Sequence, residues 1–297
     1  MTALPTAVDA AEVLRLEDAA RRIRVEVVRA VNHAKGGHLG GPLSAADLLA
    51  ALYFRVMRIR PDEPDWPDRD RFVLSKGHSS IGLYAALALR GYFPVDELAT
   101  FDRVGSRLQG HPDMTRLPCL DMSTGSLGMG ISAGVGMALG ARLTGRDART
   151  YVLLGDGECQ EGEVWEAAFV AARYGLDNLI AIVDHNKLQQ FGWQGDAPEH
   201  RLPPAAPGEL VAKWSAFGWR VLEVDGHRIG DVVDVLEEAG RGDGRPVALI
   251  AHTVKGRGVS FMEGRFYWHT RILTPDEFAT AMAELGERIP ASDRGGE

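Results

Sequence analysis

The stretch YVLLGDGECQEGEVWEAAFVAARYGLDNLIAIVDHNKLQ, from Tyr151 to Gln189, restricts the fold more than any other part of the chain. It sets two short apolar runs, Tyr151–Leu154 and Leu179–Asp184, on either side of an amphipathic segment, Glu163–Tyr174. A run without polar alternation needs cover on both faces, and strands joined through helices lie parallel. After a long loop rich in Gly and Pro, the pattern repeats as helix Gly208–Phe217, strand Arg220–Val224, helix Gly230–Glu238 and strand Pro246–His252. These alternations predict an α/β fold, a three-layer parallel sheet with helices on both faces.

Ahead of this unit the spacing predicts extra N-terminal helices. Val13, Leu16, Ala20, Ile23 and Val27 mark a helix over Ala11–Ala34, and Ser44 is placed to cap a second over Ala45–Met57. A third covers Ile81–Arg90, after the apolar run FVL and the segment SKGHSS, and a last one lies near Thr274–Gly286. With no internal repeat, residues 1–297 read as a single domain. Met122–Ala141 is twenty residues without a charge, about the length that spans a bilayer. Six of them are Gly and four are Ser or Thr, too polar for lipid, so an interior helix with its preceding loop is expected and no membrane contact is.

The 33 basic and 41 acidic residues give a formal charge of −8, which repels nucleic-acid phosphates at long range and leaves any phosphate binding to local groups. Cys119 and Cys159 form no CxxC and are too few for a zinc cage or a disulfide framework, Cys159 reading as a packing residue. With no secretory signal at the N-terminus, a reducing cytoplasm is the expected setting.

In a parallel sheet, ligands sit beyond the carboxyl ends of the strands. GDG and HN both fall there, so Asp156 and Asn186 are expected to face one crevice. A carboxylate, an amide oxygen and a nearby backbone carbonyl make the hard oxygen set that Mg²⁺ or Ca²⁺ prefers, and a diphosphate is the natural guest for the positions left open. The glycines beside Asp156 allow close backbone approach, and the helix that follows adds N–H donors at its start. GMGISA, Gly128–Ala133, fits a dinucleotide fingerprint on its face, but no strand precedes it and close helix packing is the better reading. Glu158 and Glu163 read as solvated charges at a helix start. Phe191 and Trp193 wall or anchor the loop that follows, and His33, His185, His200 and His227 read as satisfied structural residues.

GDG followed by Asn after one helix and one strand is the signature of thiamine-diphosphate enzymes. GDGECQEGEVWEA, SKGHSS, GHPD at Gly110–Asp113, TGSLGMGIS at Thr124–Ser132, HTVKGRGVSFME at His252–Glu263 and WH at Trp268–His269 resemble the transketolase family, in the same order. The resemblance implies the thiamine-diphosphate-binding fold, with Mg²⁺ (Ca²⁺ or Mn²⁺ as substitutes) held by Asp156, Asn186 and the Leu188 carbonyl. It places Gly157, His78 and Lys255 on the diphosphate of thiamine diphosphate, Gly41, Gly125 and Leu127 against the cofactor, and Asn186 and His269 within its reach. His38, His111 and His269 would line the funnel for the sugar's hydroxyls and carbonyl and exchange protons there. Glu161 stands where the family has a buried glutamate linking the two cofactor sites of a dimer.

The resemblance stops with the diphosphate-binding domain. The unit that carries the family's activating glutamate and sugar-phosphate arginines does not follow. The resemblance therefore implies the N-terminal subunit of a split transketolase, inactive alone, which transfers a two-carbon ketol unit between sugars or sugar phosphates. Its partner would be a C-terminal subunit with pyrimidine-binding and C-terminal domains, together forming an α2β2 heterotetramer. One alternative is a subunit of a 2-oxoacid dehydrogenase-like enzyme, against which the histidines at 38, 78, 111 and 269 argue. A noncatalytic cofactor-binding module is another. TRILTP after His269 and KLQQFGWQGD after Asn186 depart from the family's usual pattern beside the substrate channel, so a specialised sugar is a further expectation.

Overall fold

Five strands form one parallel sheet: β1 (Arg71–Leu74), β2 (Thr150–Gly155), β3 (Leu179–His185), β4 (Arg220–Asp225) and β5 (Val247–His252), in the order β1-β2-β3-β5-β4. This computed structural model describes residues 8–189 and 209–287. Side chains alternate between two cores with the period of two that a strand dictates. Phe72, Leu74, Tyr151, Leu153, Ile180, Ile182, Val247 and Leu249 enter one core; Val73, Val152, Leu154, Ala181, Val183, Ala248 and Ile250 enter the other. That double burial explains why the strands read as continuous apolar runs, and it bears out the three-layer expectation. Only the edge strand β4 is poorly covered, which its Arg220 and Glu223 reflect.

One face carries α1 (Ala10–Ala34), α2 (Gly40–Ala51), α3 (Ser80–Arg90), α7 (Ile229–Ala239) and α8 (Pro275–Glu284). The other carries α4 (Met129–Leu143), α5 (Gly162–Arg173) and α6 (Glu209–Ala216). The chain leaves β3 toward α6 on one face, whereas β5 leads on toward α8 on the other. Adjacent strands whose exits diverge in this way open a crevice between their carboxyl ends. No helix among the described residues is long and apolar enough to cross a membrane.

The expected boundaries hold to within a residue or two for most elements, with one real correction. The second helix starts at Gly40 rather than at Ala45, and after Ala51 it passes into a π-helical turn over Leu52–Val56. Ser44 is no cap, because its buried hydroxyl donates to Asp184 at 2.6 Å and to the Gly41 carbonyl at 2.9 Å. At the far end, Thr274 and Glu277 form a reciprocal capping box that starts α8. Phe191, Trp193 and His200 lie outside the described residues, as does Gly208.

α4 confirms the packing reading of GMGISA, since a loop and not a strand leads into it. A Cβ on Gly130 would sit 2.7 Å from Ser75 Cα, and one on Gly134 would sit 2.4 Å from a methyl of Val152. The two glycines, one helical turn apart, let α4 lie directly on β1 and β2. The helix is interior on that side only, because Met129 and Leu143 on its other side are 50% and 78% exposed. Two alanine substitutions separate these roles. Gly136 has open space around its Cβ position, so Gly136→Ala stabilises by about 0.4–1 kcal/mol through the unfolded chain. Gly130→Ala overpacks the contact and costs about 1–3 kcal/mol. Denaturant unfolding of the two variants gives opposite signs.

Candidate active site

Every loop beyond the carboxyl end of β1, β2, β3 and β5 contributes to one cleft. β2 and β3 pair in register up to Gly155 and Asp184, so Asp156 and Asn186 emerge side by side. Lys187, in a left-handed conformation, donates its N–H to Asp156 Oδ2 at 2.6 Å, and Gly157 N–H reaches Oδ1 at 2.9 Å. Asn186 donates from Nδ2 to Asp184 at 3.3 Å while its Oδ1 accepts from Leu188 N at 3.1 Å. The three residues expected at a metal are thus brought onto one rim. The Leu188 carbonyl accepts from Lys255 Nζ at 3.3 Å. Among the described residues no three His, Cys, Asp or Glu side chains converge into a metal-binding group, so a cation here relies on the mixed carboxylate, amide and carbonyl set.

Beneath this rim lies a network that the sequence reading missed. Asp184 is fully buried and accepts from Lys76 Nζ, from the hydroxyls of Ser44 and Thr253 and from Asn186. Burial alone would raise its pKa, but the Lys76 ammonium and these donors hold Asp184 below its ordinary value. Asp156 has no such ammonium bonded to it. Burial and the neighbouring Asp184 carboxylate push it up to about 6. A divalent cation at this rim relieves that repulsion, so the donor set fits one.

The side of the cleft formed by the start of α2 and the loop after β1 is a polar cradle. α2 begins at Gly40 without a side-chain cap, leaving N–H groups at its start without a side-chain acceptor. A Cβ on Gly41 would lie 2.8 Å from Ser79 Oγ, 3.7 Å from His78 Nε2 and 3.9 Å from Lys76 Nζ. Ser79 Oγ is buried and has no hydrogen-bond partner. Lys255, 2% exposed, bonds His269 Nδ1 at 2.8 Å; burial and the nearby Lys76 ammonium lower its pKa to about 8. A backbone position without a side chain, edged by an unanswered hydroxyl, an imidazole and two buried ammonium groups, suits phosphate oxygens.

Four histidines stand together above this cradle. Ring centroids are 5.0 Å apart for His38 and His78, 5.2 Å for His38 and His269, 5.0 Å for His78 and His269, and 6.4 Å for His38 and His111. Burial first, and neighbouring positive charge second, lower His38 to about 4, His78 to about 2 and His269 to about 3. All three are therefore neutral at pH 7. A Cβ on Gly125 would touch the His111 ring at 3.5 Å, which places the Thr124–Leu127 loop against the cluster. Thr270, in the TRILTP departure, pairs with His38 in an antiparallel bridge and donates to the Gly37 carbonyl at 3.1 Å, tying the segments that carry His38 and His269 together.

Glu161 is exposed at the N-cap position of α5, with no side-chain capping bond, where a Cβ on Gly128 would meet it at 2.8 Å, and Leu127 is 37% exposed. Glu158, expected in solvent, is only 2% exposed and is corrected to a buried tie: it accepts from Ser75 Oγ, from Gly128 N at 2.8 Å and from Gly155 N at 3.0 Å. Those bonds join the ends of β1 and β2 to the start of α4, a fold-level demand that no local spacing announces. Glu163 is half-buried and accepts from Ser132. His227, as expected, is satisfied, by Asp47 and the Val254 amide.

Known proteins share both the sequence and this geometry. Residues 16–291 match the transketolase thiamine diphosphate binding domain. The 6-deoxy-6-sulfo-D-fructose transketolase subunit of a Clostridium species is 46% identical over 91% of this chain and 96% of its own. An apulose-4-phosphate transketolase subunit from Phocaeicola vulgatus is 41% identical over 94% of this chain and 96% of its own. Crystal structures of transketolase from Pichia stipitis, one in complex with sedoheptulose 7-phosphate, superpose with a TM-score of 0.83 at 32% identity, covering 94% of this chain but 43% of theirs. By family match, full-length relatives and fold alike, the chain belongs to the transketolase family and carries its thiamine-diphosphate-binding domain.

Proposed function

We propose that this chain is the N-terminal subunit of a thiamine-diphosphate- and Mg²⁺-dependent transketolase, which moves a two-carbon ketol unit from a ketose to an aldehyde acceptor together with a C-terminal partner subunit. The observation that carries the reading is the stacking of three layers in one cleft: an oxygen rim for a cation, a cationic cradle for a diphosphate and a roof of neutral histidines for a polyhydroxylated substrate. A 2-oxoacid dehydrogenase-like subunit is set aside by the family match. The subunit relatives are named for 6-deoxy-6-sulfo-D-fructose and apulose 4-phosphate, and they support a specialised ketose as the donor here.

In this reading Asp156, Asn186 and the Leu188 carbonyl hold Mg²⁺, and Lys255, His78 and Gly157 hold the diphosphate. Gly41, Gly125 and Leu127 bound the rest of the cofactor. When bound, thiamine diphosphate supplies the nucleophilic carbon and the electron sink for breaking and making carbon–carbon bonds. The chain's own work is orientation and proton handling. Lys255 donates to His269 Nδ1, so this histidine keeps its proton on Nε2 and presents a donor to the funnel. His38, a neighbour of that ring, and His111, a neighbour of His38, complete a set of imidazoles able to bind hydroxyls as donor or acceptor and to pass protons among them.

Three outcomes test the reading. Ketol transfer requires both chains, Mg²⁺ and thiamine diphosphate; transfer by this chain alone, or turnover of 2-oxoacids only, contradicts it. Calorimetric titration of the two-chain complex shows Asp156→Ala and Asn186→Ala binding thiamine diphosphate with Mg²⁺ at least tenfold more weakly, and an unchanged affinity for Asn186→Ala removes the metal assignment. His38 has a pKa of about 4 when folded against 6.5 when free, so the unfolded chain takes up the proton first. Its contribution to stability is accordingly lost as pH falls from about 6.5 to about 4, and the C2–H resonance of His38 in proton NMR stays unshifted between pH 8 and about 5.

A further inference from the structure

At the end of β5 the sheet runs out of partners. Thr253 N–H still reaches the His185 carbonyl at 3.2 Å, and Gly256 N–H reaches the Gly40 carbonyl at 3.0 Å. Between them the Val254 N–H, which by strand alternation points away from β3 and toward β4, has no strand to bond, because β4 ends at Asp225. A half-buried amide in that position is satisfied by another acceptor. It finds His227 Nε2, at 2.8 Å, from the loop between β4 and α7.

This bond fixes the histidine. An amide can only donate, so Nε2 carries the lone pair and Nδ1 carries the proton, which points at Asp47 Oδ2 2.7 Å away. Asp47 in turn is held by Arg24 of α1, whose Nε also donates to the Leu43 carbonyl at 3.2 Å. The His227 and Asp47 side chains are 11% and 8% exposed, so the relay is shielded from water. It runs from α1 through α2 and the β4–α7 loop to the residue directly before Lys255.

Lys255 has little freedom to correct an error there. A Cβ on Gly40 would lie 2.7 Å from Lys255 Cγ and 2.9 Å from its Cε, so the stem lies flat against the start of α2. Its ammonium ends between the Leu188 carbonyl and His269 Nδ1. A shift of the Val254 amide moves all three contacts together.

We infer that His227 is a positioning residue: its Nε2, set by Asp47, holds the Val254 amide and so aims the Lys255 ammonium at the diphosphate. The inference rests on the assignment of Lys255 to the diphosphate. Two amides dissect the imidazole. Asn at 227 keeps a donor to Asp47 but is too short to answer Val254, whereas Gln extends an oxygen to the Val254 amide.

The test is a double-mutant cycle read by calorimetric titration of thiamine diphosphate with Mg²⁺ into the two-chain complex. His227→Asn weakens binding at least tenfold, His227→Gln restores it to within about threefold of the original, and Lys255→Met weakens it on its own. In the Lys255→Met background, His227→Asn has no further effect, because its influence passes through the ammonium. A purely structural histidine gives an additive loss in that background and no rescue by Gln, and either result overturns the inference. Unchanged binding by His227→Asn beside a weakened Lys255→Met overturns it while leaving the diphosphate assignment standing. Unchanged binding by Lys255→Met removes the assignment and the inference with it.

Discussion

A single buried carboxylate organises this molecule. Asp184 sits at the last rungs of the central strand, out of contact with water, and is surrounded by Lys76, Ser44, Thr253 and Asn186. Each partner comes from a different segment: the loop after β1, the helix α2, the loop after β5 and the end of β3 itself. Leaving such a charge unpaired costs several kcal/mol, so the four segments are held in register by the demand to neutralise it. Those same segments carry His78, Gly41, Lys255 and the Asn186 and Leu188 oxygens of the rim, and the cleft inherits its shape from the network below it.

The arrangement divides positive from negative charge in layers. Lys76 is committed to Asp184, which leaves Lys255 as a buried ammonium facing a carbonyl and a neutral ring, its pKa depressed to about 8 by burial and by the nearby Lys76 charge. Asp156, in contrast, is pushed up to about 6 by burial and by the neighbouring Asp184 carboxylate. The two mismatches lie in one cleft and are complementary to a metal diphosphate. Such strain in the charge balance is expected where a polar guest completes the protein.

Much of this was legible in the sequence. Strands buried on both faces announce themselves as unbroken apolar runs, and the register of β2 with β3 makes neighbours of the residues that follow them, so Asp156 and Asn186 could be paired without coordinates. The histidines were legible only through resemblance, since nothing local says that His38, His78, His111 and His269 meet. Lys76, Asp184 and Glu158 escaped because a charge beside a strand end looks the same whether it faces solvent or a partner brought in from far along the chain. Ser44 misled for a related reason: a serine near a helix start reads as a cap, but here the helix begins earlier and the hydroxyl serves Asp184.

The central claim is that the Asp156, Asn186 and Leu188 rim holds the metal that anchors the diphosphate. The most direct measurement is a crystal structure of the two-chain complex grown with thiamine diphosphate and Mn²⁺ in place of Mg²⁺, with the metal located by its anomalous scattering. The account predicts one peak within about 2.5 Å of Asp156, the Asn186 amide oxygen and the Leu188 carbonyl. A metal bound elsewhere, or a diphosphate seated away from Lys255, contradicts it.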